Sequence, residues 1–171
     1  MNQVVQDAIN RQISTEFAAS FSYLAMSTYC ELQNFTGSAK WLRVQSQEEY
    51  SHAMRLLNFL LARNYKVEMQ AIPAPKNEYA SVVDVFNTAL RQEQEVSRQI
   101  DALYELAFKE KSFASLVELQ WFITEQVEEE KSAREIVAKF NMVKDDPSSL
   151  LDLDRELGGR APGGAAEAEA E

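Results

Sequence analysis

The chain has 171 residues, 46% of them hydrophobic and 26% charged, enough for one domain with an apolar core and a solvated surface. Its formal net charge of −10 repels nucleic-acid phosphates and anionic membrane surfaces and attracts cations, which speaks against nucleic acid or a membrane as partner. Glycine and proline are scarce, with 5 and 4 residues, and most of the glycines lie after Leu157; the body is nearly free of helix breakers, which makes the fold class all-α.

In chain order, the first helix is predicted from about Val4 to Asn34. Ile9, Ile13, Phe17, Ser20, Tyr23, Leu24 and Ser27 recur at spacings of three and four on one face. Asn34-Phe35-Thr36-Gly37-Ser38 punctuates it, with Gly37 near its end and Ser38 as the expected N-cap of the next helix. That second helix runs from about Ala39 to Asn64 and turns Leu42, Gln45, Glu49, His52, Leu56, Phe59 and Leu60 inward. Residues 66–79 hold Pro73 and Pro75 without an apolar period, and their length suits a crossover along a bundle. A third helix, about Ser81 to Lys109, carries Phe86, Leu90, Glu93, Val96, Ile100, Leu103 and Ala107 on one stripe. After a break at residues 110–112 the fourth runs to about Met142 and buries Leu119, Phe122, Gln126, Glu129, Ala133 and Ile136. Asp146-Pro147 opens a short fifth segment, Ser148 to Leu157. The bundle with its short last helix thus fills 1–157, and the acidic, low-complexity residues 158–171 are expected to be a disordered tail.

The polar start, Met-Asn-Gln-Val-Val-Gln-Asp, has no basic run leading into an apolar one, and Cys30 is alone, so a reducing cytoplasmic location is expected. No run of about 18 apolar residues offers a membrane span.

Polar residues interrupt the apolar stripes: Glu16 on the first helix, Glu49 and His52 on the second, Glu93 on the third, and Gln126 and Glu129 on the fourth. An unpaired buried carboxylate costs several kcal/mol, so each must be paired, protonated or metal-bound. In an antiparallel pair, residues equidistant from the turn lie side by side. Folding the last pair about residue 111 sets Glu93 beside Glu129; folding the first about residues 35–36 sets Glu16 within about a helical turn of His52 and Glu49. All four helices therefore send carboxylates, and one an imidazole, toward one level, with no Arg or Lys on the stripes to neutralise them. Glu49-x-x-His52 lets two side chains on one helix face bind one ion. Carboxylates with a single imidazole suit iron or manganese better than structural zinc. A protonated hydrogen-bond network is the alternative these residues leave open.

The sequence resembles the non-haem ferritins, especially the bacterial ones. The resemblance is carried by Gln12-x3-Glu16 with Tyr23, by Glu48-Glu49-Tyr50-Ser51-His52-Ala53, by Gln92-Glu93, by Gln120 through Glu129, and by Leu150-x3-Asp154-Arg155-Glu156-Leu157-Gly158. It implies a ferritin-like four-helix bundle with two iron ions in each subunit, one held by Glu16, Glu49 and His52. The other would be held by Glu49, Glu93 and Glu129 with Gln126 beside it. Glu48, Glu125, Glu128 and Glu129 match a third iron site, and Tyr23 and Trp121 match aromatic positions next to the centre, where Tyr23 gives an electron or a hydrogen bond. The implied function is a ferroxidase that oxidises Fe(II) with O2 or H2O2 and stores ferric mineral inside a cage of 24 identical subunits. Leu150, Leu151 and Leu153 would then be covered near a fourfold axis. No haem is expected, because Tyr50 stands where haem-binding relatives have Met, and Gln126-x-x-Glu129 lacks the second histidine of those relatives. The acidic threefold-pore pair of animal ferritins is matched here by Leu116 and Leu119. A di-iron oxidase or peroxide-scavenging enzyme without mineral storage would use the same ligands.

Overall fold

The computed structural model describes residues 1–161, which form α1 (Gln3–Leu32), α2 (Thr36–Ala62), α3 (Val82–Lys109), α4 (Phe113–Val143) and α5 (Pro147–Gly158). α1 packs along α2 and α3 along α4, each pair joined by a tight turn and therefore antiparallel, with residues 63–81 crossing from one pair to the other. The three helix stops share one chemistry. Asn34, Asn64 and Lys111 take left-handed φ angles of 63°, 58° and 53°. The next N–H then turns back to a carbonyl of the last turn: Phe35 to Cys30, Tyr65 to Leu60 and Ser112 to Ala107. Asn34, not Gly37, thus ends α1. The crossover is held down by two buried amides of α1, Gln6 and Asn10, which both donate to the Lys66 carbonyl, while Asn10 Oδ1 accepts from the Glu68 N–H at 2.8 Å.

Helix starts follow the sequence except at α2. Asn2, Ser81 and Asp146 cap α1, α3 and α5 through their side chains. Ser38, expected as the N-cap of α2, lies inside its first turn, and the actual N-cap residue, Phe35, has no side-chain cap to offer. The missing cap comes from another helix. Asp154 of α5 accepts from the Gly37 N–H (3.0 Å), the Ser38 N–H (2.7 Å) and the Ser38 hydroxyl (2.7 Å), all buried. This close approach explains the glycine: a Cβ on Gly37 would fall 1.8 Å from the Asp154 carbonyl oxygen.

The interior is two apolar blocks. One gathers Tyr23, Met26, Cys30, Trp41, Leu42, Phe86, Phe140, Leu153 and Leu157; the other gathers Val5, Ile9, Ile13, Leu56, Leu60, Val96, Ile100, Leu119 and Phe122. Some sequence expectations are corrected here. Leu24, placed on the inner face, is 42% exposed, because it follows Tyr23 by about 100° of helical turn and Tyr23 faces the core. Leu153 is buried by its own chain and Leu119 lies in the core, so neither is an exposed patch or pore-lining residue; Leu151 is exposed. Within the predicted tail, Gly158 closes α5 and Arg160 is half-buried and hydrogen-bonded, so residues 158–160 belong to the packed unit. Residues 162–171 lie outside the described part.

Replacing Asp154 by Ala leaves three buried donors without a partner and should cost at least about 2 kcal/mol. Gly37→Ala, which presses a methyl group into backbone, should cost about 1–3 kcal/mol. Thermal unfolding should record both as a fall in Tm of several degrees; an unchanged Tm in either variant would show that α5 does not cap α2.

Candidate metal centre

A polar layer separates the two apolar blocks, and every helix of the bundle crosses it. On α1 Glu16 lies between Ile13 and Tyr23; on α2 Gln45, Glu49 and His52 lie between Leu42 and Leu56. On α3 Glu93 lies between Ala89 and Val96, and on α4 Gln126 and Glu129 lie between Phe122 and Ile136. The opposite order of the two blocks along α1 and α2, and again along α3 and α4, is the antiparallel pairing seen in side chains. All these polar residues are buried, and Glu16 and Glu49 are wholly inaccessible.

Neutral donors hold one oxygen of most of these carboxyl groups. Gln12 Nε2 donates to Glu16 Oε1 at 2.7 Å. Gln45 Nε2 donates to Glu129 Oε2 at 2.7 Å and to Glu49 Oε1 at 3.4 Å. The Tyr23 hydroxyl donates to Glu93 Oε1, and Gln126 Nε2 lies 3.3 Å from Glu93 Oε2. Two buried oxygens, Glu16 Oε2 and Glu49 Oε2, receive no N–H or hydroxyl donor from the described residues, and the two carboxyls stand within hydrogen-bonding reach of each other. His52 Nδ1 stands 3.5 Å from Glu49 Oε2. Ligand atoms of Glu16, Glu49 and His52 all lie within 4.8 Å of one another, close enough for one ion to take one atom from each. Two orphaned carboxylate oxygens beside an imidazole nitrogen are hard donors that fit a divalent cation such as Fe(II). Trp121 meets the His52 ring edge-on at 5.3 Å, and the Arg55 guanidinium lies over the Trp121 ring, 4.1 Å from its centre.

Burial first, and neighbouring carboxylates second, raise the carboxyls of Glu16, Glu49, Glu93 and Glu129 to about 8: Glu49 acts on Glu16 and Glu93, Glu129 on Glu49, and Glu93 on Glu129. Burial, and then the Glu93 charge, also holds the Tyr23 hydroxyl well above its usual value, which makes it a donor toward Glu93.

Each residue expected in the dinuclear centre therefore lies in this layer, with one difference. Glu49, Glu93 and Glu129 do not close into a triad as tight as the first, because Tyr23 and Gln126 hold Glu93 while Gln45 holds Glu129. Of the four residues expected as a third site, Glu125 and Glu129 converge while the other two meet basic side chains. Glu48 pairs with Arg160 at 2.5 Å, Glu128 is exposed beside Lys131, and Glu125 lies instead with His52 and Glu129, their ligand atoms within 4.8 Å of one another. Sequence reasoning missed the work of Gln45 and Arg160. A buried amide spaced four residues before Glu49 was visible as a stripe residue; Arg160 gave no signal in a glycine-rich tail.

Fold and layer together define a four-helix bundle built around a candidate metal centre, and known proteins share the fold. A family model described as a ferritin-like domain matches residues 6–143. A bacterial non-heme ferritin of Staphylococcus aureus (strain USA300) is 34% identical over 154 residues, spanning 90% of this chain and 93% of its own length. Another from Staphylococcus haemolyticus (strain JCSC1435) is 35% identical over 155 residues, spanning 91% and 93%. A solved structure described as an open pore ferritin from the hyperthermophilic archaeon Archaeoglobus fulgidus superposes with a TM-score of 0.93 at 38% identity, covering 94% of this chain and 99% of that one. The chain belongs to the ferritin family. Among the described residues, no helix is long and apolar enough to cross a membrane.

The raised carboxyls set a pH dependence. The fold keeps these groups protonated up to about 8, whereas the unfolded chain loses the protons near 4.5, so over that window the fold binds more protons. Their contribution is complete below 4.5 and is lost as pH rises. Chelator-treated protein should melt at least about 3 °C lower at pH 8 than at pH 5.5, what about 1 kcal/mol does to a domain of this size. Divalent cation added at pH 8 should restore the loss; a Tm that rises with pH in chelated protein would contradict this origin of the layer's cost.

Proposed function

We propose that the protein is an iron-storage ferritin subunit that oxidises Fe(II) at a dinuclear centre within its own bundle. The observation that carries the reading is the pair of orphaned, inaccessible oxygens of Glu16 and Glu49 facing His52. Family membership over nearly the whole described chain adds iron as the ion. One Fe(II) takes Glu16, Glu49 and His52; the second takes Glu49, Glu93 and Glu129, with Gln126 beside it and Glu49 shared.

Iron is the substrate. Two Fe(II) each give one electron to O2, which takes up two protons and leaves as H2O2; with H2O2 as oxidant the same two electrons break the O–O bond, and two protons carry the oxygens off as water. The chain's part is electrostatic. Carboxyls that are protonated without a cation lose their protons when one binds, and four anionic groups then favour Fe(III) over Fe(II). The apolar blocks above and below keep water from competing for the ligands. Tyr23, hydrogen-bonded to Glu93, orients that ligand and stands near enough to pass an electron. The product moves to the interior of a shell of 24 copies and mineralises.

Chelated protein loaded with Fe(II) without air and then exposed to O2 should show a fast rise in near-ultraviolet absorbance that saturates near two irons per chain. Glu49→Ala removes the shared ligand and should slow that phase at least tenfold, about 1.4 kcal/mol in barrier. Continued iron addition should leave an electron-dense core in a large particle. Equal rates in the two proteins would sink the catalytic centre, and fast oxidation in a small particle without a core would select the oxidase reading.

A further inference from the structure

Gln45 is fully buried and sits against the centre, yet its carbonyl oxygen faces away from it, toward a guanidinium from the far end of the chain. Arg160 Nη1 donates to Gln45 Oε1 at 2.8 Å, and Arg160 Nη2 donates to Glu48 Oε2 at 2.5 Å. The guanidinium carbon stands 4.6 Å over the Trp41 ring, whose own exposure is 6%. A planar fork laid on an indole face with each arm on a different acceptor is a built position, not a wandering surface contact; the Arg160 and Glu48 side chains are only 20% and 18% exposed.

The segment that brings Arg160 there is fastened at two points. Asp154 grips the first turn of α2, and Lys40 of α2 donates to the Gly158 carbonyl at 2.7 Å. Arg160 follows just beyond the turn at Gly159. Its two contacts have separate consequences. Because guanidinium only donates, Gln45 must offer it Oε1 and so must point Nε2 at Glu129 and Glu49, the orientation that the centre uses. Glu48, meanwhile, adds its negative charge to the field at Glu49, Glu125 and Glu129. It borders the second group of converging ligand atoms, His52, Glu125 and Glu129. Held by Arg160, Glu48 gives its oxygen to a fixed organic cation and not to that group.

We propose that Arg160 is a tethered counter-cation of the metal centre, occupying Glu48 so that it cannot serve as a metal ligand and fixing the Gln45 amide toward Glu129. The proposal rests on the dinuclear reading. It makes Arg160 a positioning residue, and it assigns the chain two metal positions where freeing Glu48 would complete a third with Glu125 and Glu129.

The test is the number of Fe(II) ions bound per chain at equilibrium without oxygen, in the full assembled protein. Wild type and Glu48→Gln should bind the same number, because Glu48 is not a ligand. Arg160→Ala should bind one more, and Arg160→Ala with Glu48→Gln should return to the wild-type number. A merely structural loss at the end of α5 does not produce a gain that depends on Glu48. Fewer ions in Glu48→Gln alone, or no gain in Arg160→Ala, overturns the assignment while leaving the dinuclear centre intact. Glu49→Ala run beside them separates the two ideas: if it binds as many ions as wild type, the dinuclear reading falls and the role of Arg160 falls with it.

Discussion

Four carboxyl groups, one from each long helix, are withdrawn from water at a single level of the bundle, and the rest of the structure answers to them. Uncompensated, each would cost several kcal/mol, against a total stability of about 5–15 kcal/mol for a domain. The donors that surround them, Gln12, Gln45, Gln126 and Tyr23, are all neutral. They hold oxygens in place but bring no positive charge. Compensation inside the layer is therefore left to protons or to cations, and a group that exchanges one for the other is what a metal centre requires. The two apolar blocks are the other half of the arrangement: long helices are needed because a core must exist on both sides of the layer to pay for it.

The polar layer explains how much could be read from the sequence. Glu93 and Glu129 fall opposite one another by folding α3 on α4 about Lys111, and Lys111 is indeed the left-handed residue of that turn. Glu16, Glu49 and His52 meet for the same reason on the other pair. Helical period and turn position are local, so the bundle and the ligand level are written locally. What escaped is tertiary. Ser38 carries a good cap signal, but its hydroxyl is spent on Asp154, 116 residues away. Gly37 looks like a helix stop and is instead the flat spot against which α5 lies. The third acidic cluster suggested itself because Glu48, Glu125 and Glu128 are near in sequence to residues of the layer; in space Glu48 is claimed by Arg160, whose partners no pattern in the tail announces.

Charge is thus managed at two depths. Inside the layer, no lysine or arginine side chain among the described residues reaches the four carboxyls directly. At its edge, Arg160 meets Glu48 and Arg55 meets Glu118, and the guanidinium groups stack on Trp41 and Trp121. The aromatic rings give each arginine a weakly hydrated seat beside the centre while keeping it out of the ligand shell.

The cap that Asp154 places on α2 also sets an order in time. A chain made from its N-terminus presents α1 and α2, with Glu16, Glu49 and His52 already encoded, long before residue 154 exists. Until then the first turn of α2 has open N–H groups and no side chain nearby to close them. The helix that bears Glu49 and His52 is capped only when α5 has been made, and the same short helix delivers Arg160. The first turn of α2 thus stays open until the chain has grown 116 residues beyond Ser38.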